Sequence, residues 1–271
     1  MPDISFITTC KGRLSQLRRS LPHMLAQPNS EVIVVDFDCP DRAADWVSSN
    51  YPSIKVVCAT DRPRFNASAA RNLGAAQAQS EWLCFIDADI TPCDGFVQIL
   101  ADTLRPGHYY HGAPFFPDKY GTFLCRREDF DRVGGYDEVF DAWSQEDKDL
   151  YRRLEWSGLR VAHFDNALLS AEFHDDDLRT RYFGLADRWL GMRLNGFYLY
   201  AKADLIRLTG QLPSLALRQA LYAEVKKAFA TNPQTPQLEI GLPLPADDDV
   251  APGWTMKRRI MLTIVPHAPA R

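Results

Sequence analysis

Short apolar runs alternate with segments of helical spacing over the first 90 residues of the chain. The runs have the length of strands, and the segments between them place apolar side chains on one face of a helix. Strands that alternate with helices are typical of a parallel sheet with right-handed crossovers, so the pattern predicts an α/β fold. The predicted strands are 4–10, 31–36, 54–59 and 83–86, and the predicted helices are 14–25, 43–51 and 67–79.

The pattern beyond residue 90 is less regular and becomes largely helical after His174. We therefore predict a catalytic α/β domain over residues 1–175 and a mainly helical C-terminal extension over residues 176–271. The further predicted elements are a helix at 96–104, a strand or loop at 109–116, a strand at 122–126, and helices at 147–156, 178–200 and 215–230.

Two carboxylates one residue apart follow the fourth predicted strand. Leu83 to Ile86 form an uninterrupted apolar run, Asp87 and Asp89 come directly after it, and Pro92 cannot continue the strand. Open α/β sheets bind ligands at the carboxyl ends of their strands, where an Asp-x-Asp can hold a divalent cation that in turn holds a phosphate. This placement points to nucleotide-sugar chemistry. The alternative is a turn that the two acids only cap.

Two other predicted strands end in groups suited to a nucleotide. Thr8, Thr9 and Arg13 lie at or just after the end of the first strand, and Asp36 ends the second. Asp36 can accept a hydrogen bond from uracil or ribose, or it can be an acid that stabilises a turn at the strand end. The sequence leaves these two roles open.

Composition restricts the kind of protein. The chain has 271 residues, 46% hydrophobic and 24% charged, which is typical of a globular protein with one substantial core. A net charge of −4 gives no electrostatic reason to bind nucleic acid. No apolar run reaches the roughly 18 residues of a membrane span, and we expect a cytoplasmic protein. Six scattered cysteines without a Cys-x-x-Cys argue against a zinc site and for reduced, packed thiols.

Two groups of motifs resemble a known family. Residues 69–74, which read Ala-Ala-Arg-Asn-Leu-Gly, and residues 85–89 resemble the nucleotide-sugar half of family-2-type glycosyltransferases with a GT-A fold. Residues 134–138 and 143–150 resemble the acceptor-side segment shared by β-1,4-galactosyltransferases and the related polymerising N-acetylgalactosaminyltransferases. The resemblance covers roughly residues 3 to 175. It implies a Rossmann-like, mixed α/β sheet and transfer of a sugar from a nucleotide donor.

The resemblance also implies a metal site. Asp89 would be a direct ligand, and Asp87 would face the ribose or reach the metal through water. A downstream histidine completes the metal shell in these families, and His174 is the best placed of the six histidines. An imidazole ligand favours Mn²⁺ over Mg²⁺, which stays the alternative. His174 can instead cap a turn among the acids that follow it.

The acceptor-side motif supplies two further acids. Glu146 and Asp147 open a predicted helix, where the helix dipole stabilises ionised carboxylates, and this alone can explain them. The resemblance implies that Asp147 is the general base and that Glu146 binds the acceptor sugar. Direct attack by the acceptor hydroxyl would invert the anomeric carbon. Ser144 and Gln145 stand where the galactosyltransferase pattern usually has glycines, which leaves the donor and acceptor sugars open.

Several other residues are candidates for donor binding. Arg71 can contact the base or a phosphate, or it can make a salt bridge on a helix surface. Gly135, with Gly134 before it, lets the backbone turn close to the donor sugar. Trp143 can stack on a sugar face or serve as core. Arg62 and Arg64 lie in a loop that can reach donor phosphates.

The leading hypothesis is an inverting, metal-dependent glycosyltransferase that uses a UDP-hexose or UDP-N-acetylhexosamine donor. The acceptor would be a hydroxyl of a glycan, a lipid-linked compound or a small molecule. A nucleotidyltransferase is one alternative, although its glycine-rich basic loop is represented only by residues 11–13. A non-catalytic sugar- or nucleotide-binding module and a retaining transferase are the others.

The C-terminal segment allows two readings. Lys257, Arg258 and Arg259 lie beside apolar residues and can contact an anionic membrane surface, such as the inner face of a membrane that carries lipid-linked acceptors. Such a segment can also pack on the domain as a strand or helix. The alternation from Leu262 to Val265 favours packing.

Overall fold

The computed structural model describes residues 4–172, 180–244, 247–251 and 254–264. The chain divides into two compact units. The first comprises Met1–Glu138 and Glu146–Gly184, and the second comprises Val139–Gln145 and Leu185–Arg271. The division after residue 184 lies close to the predicted one at 175. No pattern in the sequence predicts that residues 139–145 group with the C-terminal unit.

A seven-stranded mixed sheet forms the centre of the first unit. Its strand order is β3-β2-β1-β4-β7-β6-β8, and β7 runs antiparallel to both of its neighbours while the other pairs are parallel. The predicted α/β class is therefore confirmed. The strands are β1 (Ile4–Cys10), β2 (Ser30–Phe37), β3 (Lys55–Ala59), β4 (Trp82–Phe85), β6 (His108–Ala113), β7 (Phe123–Arg126) and β8 (Arg160–Asp165), and a separate pair joins β5 (Ile90–Pro92) to β9 (Leu169–Ala171).

Helices cover both faces of this sheet. Alternate side chains of a strand point to opposite faces, so Phe6 of β1 packs in one core with Leu17, while Ile7 packs in the other with Ala70. All four side chains are essentially excluded from solvent, as expected for a parallel sheet covered on both sides. The α-helices bounded within the described residues of this unit are α1 (Leu14–Leu25), α2 (Ala43–Asn50), α3 (Ala67–Ala75), α4 (Phe96–Ala101), α5 (Arg127–Arg132) and α6 (Glu146–Trp156).

The described residues of the second unit form two long helices and four short strands. Asp187 caps the first helix by accepting a hydrogen bond from Leu190 N at 2.9 Å, so this helix begins later than the predicted 178–200. The strands form two antiparallel pairs and were only partly predicted, because short alternating runs carry a weak signal. The elements are α7 (Arg188–Thr209), α8 (Leu215–Thr231), β10 (Gln237–Gly241), β11 (Asp247–Ala251), β12 (Trp254–Met256) and β13 (Arg259–Thr263).

The basic C-terminal segment is partly engaged in the second unit. Ile260 and Leu262 of β13 pack against its core, and Arg259 donates to Glu239 Oε1 at 2.8 Å. Lys257 and Arg258 are exposed. The packing agrees with the second reading of the sequence, and contact with a membrane surface stays a prediction. Within the described ranges, none of the helices combines the length and the apolar character that crossing a bilayer requires.

Candidate active site

A buried arginine gathers three of the predicted acids at the carboxyl edge of the sheet. Arg71, on α3, donates from Nη1 to Glu146 Oε1 at 3.1 Å and to Asp147 Oδ1 at 3.0 Å. Its Nη2 donates to Asp87 Oδ1 at 3.0 Å. The Tyr136 hydroxyl donates to the same Asp147 oxygen at 3.2 Å, and the Arg71 guanidinium lies 5.1 Å from the Tyr136 ring centroid. The strand-end acid and the helix-start acids thus belong to one cluster.

Glu146 and Asp147 are more basic than free carboxyl groups. Burial raises the pKa of Glu146 to about 7, with a further increase from the charge of Asp147 and an opposing effect of Arg71. Burial also raises the pKa of Asp147, and Arg71 and the Tyr136 hydroxyl act against that rise. Three carboxylates share one guanidinium, so the cluster carries excess negative charge when all are ionised. Such a site favours a proton or a cation.

Asp89 lies next to this cluster and has a different arginine. Arg13, which precedes α1, donates from Nη1 to Asp89 Oδ2 at 2.7 Å, and Asp89 is only 7% exposed. The side chain of Asp87 is 38% exposed and lies on the open side of the turn after β4. Each acid of the Asp-x-Asp is therefore paired with an arginine contributed by another element.

Side-chain hydrogen bonds connect the two segments that resemble the family motifs. Asn72 Nδ2 donates to Tyr136 O at 3.0 Å, and its Oδ1 accepts from Tyr136 N at 2.9 Å. Arg153, on α6, donates to Gly135 O at 2.7 Å. Gly135 has a φ of 63°, and a Cβ there would lie 2.8 Å from Asn72 Oδ1, so only glycine fits. In this structure Gly134 and Gly135 serve to place Tyr136 against the acids.

The ends of the first two strands are held by their own hydrogen bonds. Asp36 Oδ1 accepts from Cys39 N and its Oδ2 from Ala44 N, both at 2.7 Å, so the structure shows the turn-stabilising role that the sequence left open. Lys11 is buried and donates to backbone oxygens of three residues, Phe37, Asp38 and Arg62. The importance of this lysine for joining three loops was missed, because its partners are far away in sequence.

Several candidates lie outside the acid cluster. Thr8 is fully buried, and its Oγ1 has no hydrogen-bond partner in the described part of the chain. Thr9 is half-buried on the same strand, and Arg62 and Arg64 are exposed. Trp143 belongs to the second unit, where the Arg188 guanidinium lies 4.5 Å from its ring centroid. Donor binding by these residues stays a prediction.

His174 falls outside the described residues, so its predicted metal contact is not addressed. Within the part of the chain that the structure describes, no group of three or more His, Cys, Asp or Glu side chains is placed to hold a metal ion. The carboxylate oxygens of Asp87 and Asp89 are nevertheless the donor type that Mg²⁺ and Mn²⁺ take. The donor chemistry of this turn therefore fits a hard divalent cation.

The segment between β6 and β7 borders the acid cluster. A Cβ on Gly121 would lie 3.1 Å from Arg71 Nη2, 3.3 Å from Asp87 Oδ2 and 3.5 Å from Asp147 Oδ2. Earlier in the same segment, Phe115 is 67% exposed and packs edge-on against Tyr120 with 5.5 Å between ring centroids. Gly121 therefore lies directly against the acids, at a position where any larger residue would crowd them.

These features define the class of the protein. Its sheet matches that of GT-A glycosyltransferases, and two solved structures share the fold. One is the mannosyltransferase PcManGT from Pyrobaculum calidifontis in complex with GDP-Man and Mn²⁺, with a TM-score of 0.58, 16% identity, and coverage of 86% of this chain and 78% of that chain. The other is S. aureus TarS 1–349 in complex with UDP-GlcNAc, with a TM-score of 0.59, 15% identity, and coverage of 85% and 74%.

The chain belongs to the family Glycosyl transferase family 2, which matches residues 5–178. It is 27% identical over 218 residues to a pre-mycofactocin glycosyltransferase of Mycobacterium tuberculosis, covering 66% of this chain and 44% of the relative. It is also 27% identical over 139 residues to beta-1,4-galactosyltransferase 7 of Drosophila melanogaster, covering 48% and 42%. The chain thus spans less than half the length of these relatives. The resemblance seen in the motifs is confirmed.

Proposed function

We propose that this chain is an inverting, metal-dependent glycosyltransferase that moves a hexose or N-acetylhexosamine from a nucleotide-diphosphate donor, preferably a UDP-sugar, to an acceptor hydroxyl. One observation supports this above all. Arg71 joins Asp87, from the donor-side motif, to Glu146 and Asp147, from the acceptor-side motif. A transferase must bring donor and acceptor into contact, and this cluster brings together the residues expected to bind each of them.

Asp147 is the proposed general base. A base must accept the proton of the attacking hydroxyl, and a carboxylate with a raised pKa does so more readily. Arg71 and the Tyr136 hydroxyl both donate to Oδ1, while Oδ2 lies on the side of Gly121. The Asp147 carboxylate is thereby oriented with one oxygen available to the acceptor. Glu146, which is more deeply buried, would orient the acceptor through a hydrogen bond.

Asp87 and Asp89 are the proposed donor-side acids. Asp89 would hold a divalent cation, together with His174, and Asp87 would face the ribose or a metal-bound water. When bound, Mn²⁺ or Mg²⁺ would neutralise charge on the departing diphosphate. Arg13 and Arg71 compensate the charges of Asp89 and Asp87 in the structure, and both are proposed to contact the donor as well.

Family membership and the structural neighbours support the donor class. One neighbour binds GDP-Man with Mn²⁺ and another binds UDP-GlcNAc, so nucleotide-diphosphate sugars are the donors to test. The resemblance of residues 134–138 and 143–150 to galactosyltransferases, together with the UDP-GlcNAc bound by one neighbour, leads us to expect UDP. The acceptor would be a glycan, a lipid-linked compound or a small molecule. The exposed Phe115 beside the cluster offers an apolar face on which a sugar ring can stack.

The test is a thermal-shift screen of UDP-, GDP-, CMP- and dTDP-sugars, each with and without Mn²⁺. A ligand at a hundredfold excess over its dissociation constant stabilises the folded state by about 2.7 kcal/mol. We expect UDP compounds to give the largest increase in melting temperature, only when metal is present, and Asp89→Ala to remove that increase. Equal shifts with every nucleotide, or no shift, would contradict the donor assignment. Binding without turnover on any acceptor would favour a binding module.

A further inference from the structure

Two consecutive non-glycine residues adopt positive φ just before the acid pair. Ser144 has a φ of 79° and Gln145 a φ of 81°. Side chains with a Cβ rarely adopt this left-handed region, because the Cβ crowds the backbone there, and such residues persist only where their surroundings enforce them. The next residue is Glu146, the first of α6. The backbone that introduces Glu146 and Asp147 is therefore strained, at positions where the galactosyltransferase pattern has glycines.

A fully buried asparagine in the second unit holds this strained segment. Asn195, on α7, donates from Nδ2 to Ala142 O and to Ser144 O, both at 2.8 Å. The Tyr222 hydroxyl lies 2.9 Å from its Oδ1 and 2.5 Å from Asp141 Oδ1, so two acceptors share the one hydroxyl hydrogen. The amide of Asn195 is thus fixed in one orientation, with both amide hydrogens used on backbone oxygens of the segment.

Other side chains on the same face of α7 contact the same segment. The Arg188 guanidinium lies 4.5 Å from the Trp143 ring centroid, and a Cβ on Gly191 would lie 3.4 Å from Ala142 Cβ. Further along the helix, Tyr198 packs edge-on against Phe140 at 4.9 Å between centroids. Positions 188, 191, 195 and 198 are three or four residues apart and so share one helical face. This face of α7 is occupied by residues 140–144.

We propose that Asn195 is a positioning residue for the acid pair. By binding the carbonyls of Ala142 and Ser144, it stabilises the left-handed backbone at Ser144 and Gln145, which sets the direction in which the chain enters α6. Asn195 itself touches neither donor nor acceptor. The inference rests on the proposed function only in assuming that Glu146 and Asp147 act on the acceptor. It gives the second unit an indirect role in catalysis, although that unit supplies no catalytic residue.

The experiment tests whether glycines at positions 144 and 145 restore the activity that Asn195→Ala removes. Asn195→Ala should lower kcat by about tenfold to a hundredfold, because misplacement of a base by about 1 Å has an effect of this size. The dissociation constant for the donor should not change. Glycine tolerates positive φ, so adding Ser144→Gly and Gln145→Gly to N195A should restore at least part of kcat. The milder Tyr222→Phe, which removes the hydroxyl shared by Asn195 and Asp141, should show a smaller loss with the same rescue. Val225→Ala, in the core of the second unit, is the control for stability alone.

Three results would overturn the proposal: N195A with wild-type kcat, a loss of kcat in V225A equal to that in N195A, or no rescue by the glycines. Melting temperatures give a readout that needs no turnover. The glycines should raise the melting temperature of the wild type more than that of N195A, whose segment has already relaxed. If no sugar is transferred by the wild type, the proposed function fails. The difference between the two changes in melting temperature still tests whether Asn195 stabilises the strained backbone. If the glycines change the melting temperature equally in the wild type and in N195A, Asn195 does not stabilise the strained backbone, even if the enzyme is active.

Discussion

Arg71 Nη1 lies 3.0 Å from Asp147 Oδ1, although the two residues are 76 positions apart in the chain. The same guanidinium binds Asp87 on the strand-end turn, so one side chain spans the donor-side and acceptor-side motifs. Asn72, the next residue, binds the backbone of Tyr136 and thereby joins the same two parts. The Arg-Asn pair on α3 is therefore the physical link between motifs that the sequence shows only as separate segments.

Removal of the Arg71 guanidinium should destabilise the fold. In Arg71→Met, buried carboxylates lose their shared counter-charge, which typically costs about 3–5 kcal/mol. Guanidinium chloride unfolding at neutral pH would measure the loss, and Arg71→Lys should fall between, since an ammonium cannot reproduce the planar fork. The matched control is Arg19→Met, whose pair with Glu172 is exposed and should contribute at most about 1 kcal/mol. Equal losses in the two variants would show that the buried network is not what stabilises the site.

Two substitutions should separate sugar transfer from donor binding. Asp147→Asn should abolish transfer and preserve donor binding, because it removes the proton acceptor and keeps the shape. Asp89→Ala should lose both, because donor binding is expected to require the metal. Turnover assays and donor titration by calorimetry would measure the two effects, with Glu155→Gln on the same helix as the control. Undiminished turnover in Asp147→Asn would remove it as the base.

Much of the fold follows from local pattern. The strands and helices of the first 90 residues lie close to their predicted positions, because a buried parallel sheet requires continuous apolar runs and its helices require a regular apolar face. The predicted start of α7 was wrong by about ten residues. The helix begins at the cap Asp187, and a single capping hydrogen bond leaves no periodic pattern in the sequence. The short strands β10 and β13 alternate over only five residues each, which is too short to identify with certainty from pattern alone.

The candidate site was predicted in part. Strand ends and motif order pointed to Asp87, Glu146 and Asp147, which the structure brings together around Arg71. The partners that orient them were missed because they come from distant positions: Tyr136 meets Asp147 only through the turn at Gly135, and Asn195 lies on a helix of the other unit. One signal was present, since Ser144 and Gln145 replace glycines of the related pattern and therefore need outside support.

The stability of the protein should depend on the protonation of Glu146. Burial raises its pKa from an ordinary value of 4.5 to about 7 in the folded state. The folded state therefore binds this proton more tightly than the unfolded state, and the associated stability is lost as the pH rises from 4.5 through about 7. Glu146→Gln cannot lose that proton, so its stability should fall less over this range than that of the wild type. Unfolding midpoints of both proteins across the range would measure this.

The comparison uses the slope with pH and not the absolute stability, because Glu146→Gln also weakens the pair with Arg71. Asp147 shifts in the same direction, so Asp147→Asn should flatten the curve as well. Parallel curves for the wild type and Glu146→Gln would mean that Glu146 titrates alike in the folded and unfolded states.

Substitution of Gly121 should block the site without unfolding the protein. A methyl group at this position would touch Arg71 Nη2, Asp87 Oδ2 and Asp147 Oδ2 at 3.1–3.5 Å, in the space where the acceptor hydroxyl is expected to approach. The backbone of Gly121 is not among those with positive φ, so alanine adds no backbone strain there. Gly121→Ala should therefore lower kcat/KM by about tenfold or more, through misplacement of the acceptor, and Gly121→Val should abolish transfer.

Gly112→Ala is the contrast, because its Cβ would collide with Asn166 Oδ1 and should lower the melting temperature. Full activity in Gly121→Val would place the acceptor on another side of Asp147, whereas a large fall in melting temperature would make Gly121 a packing residue.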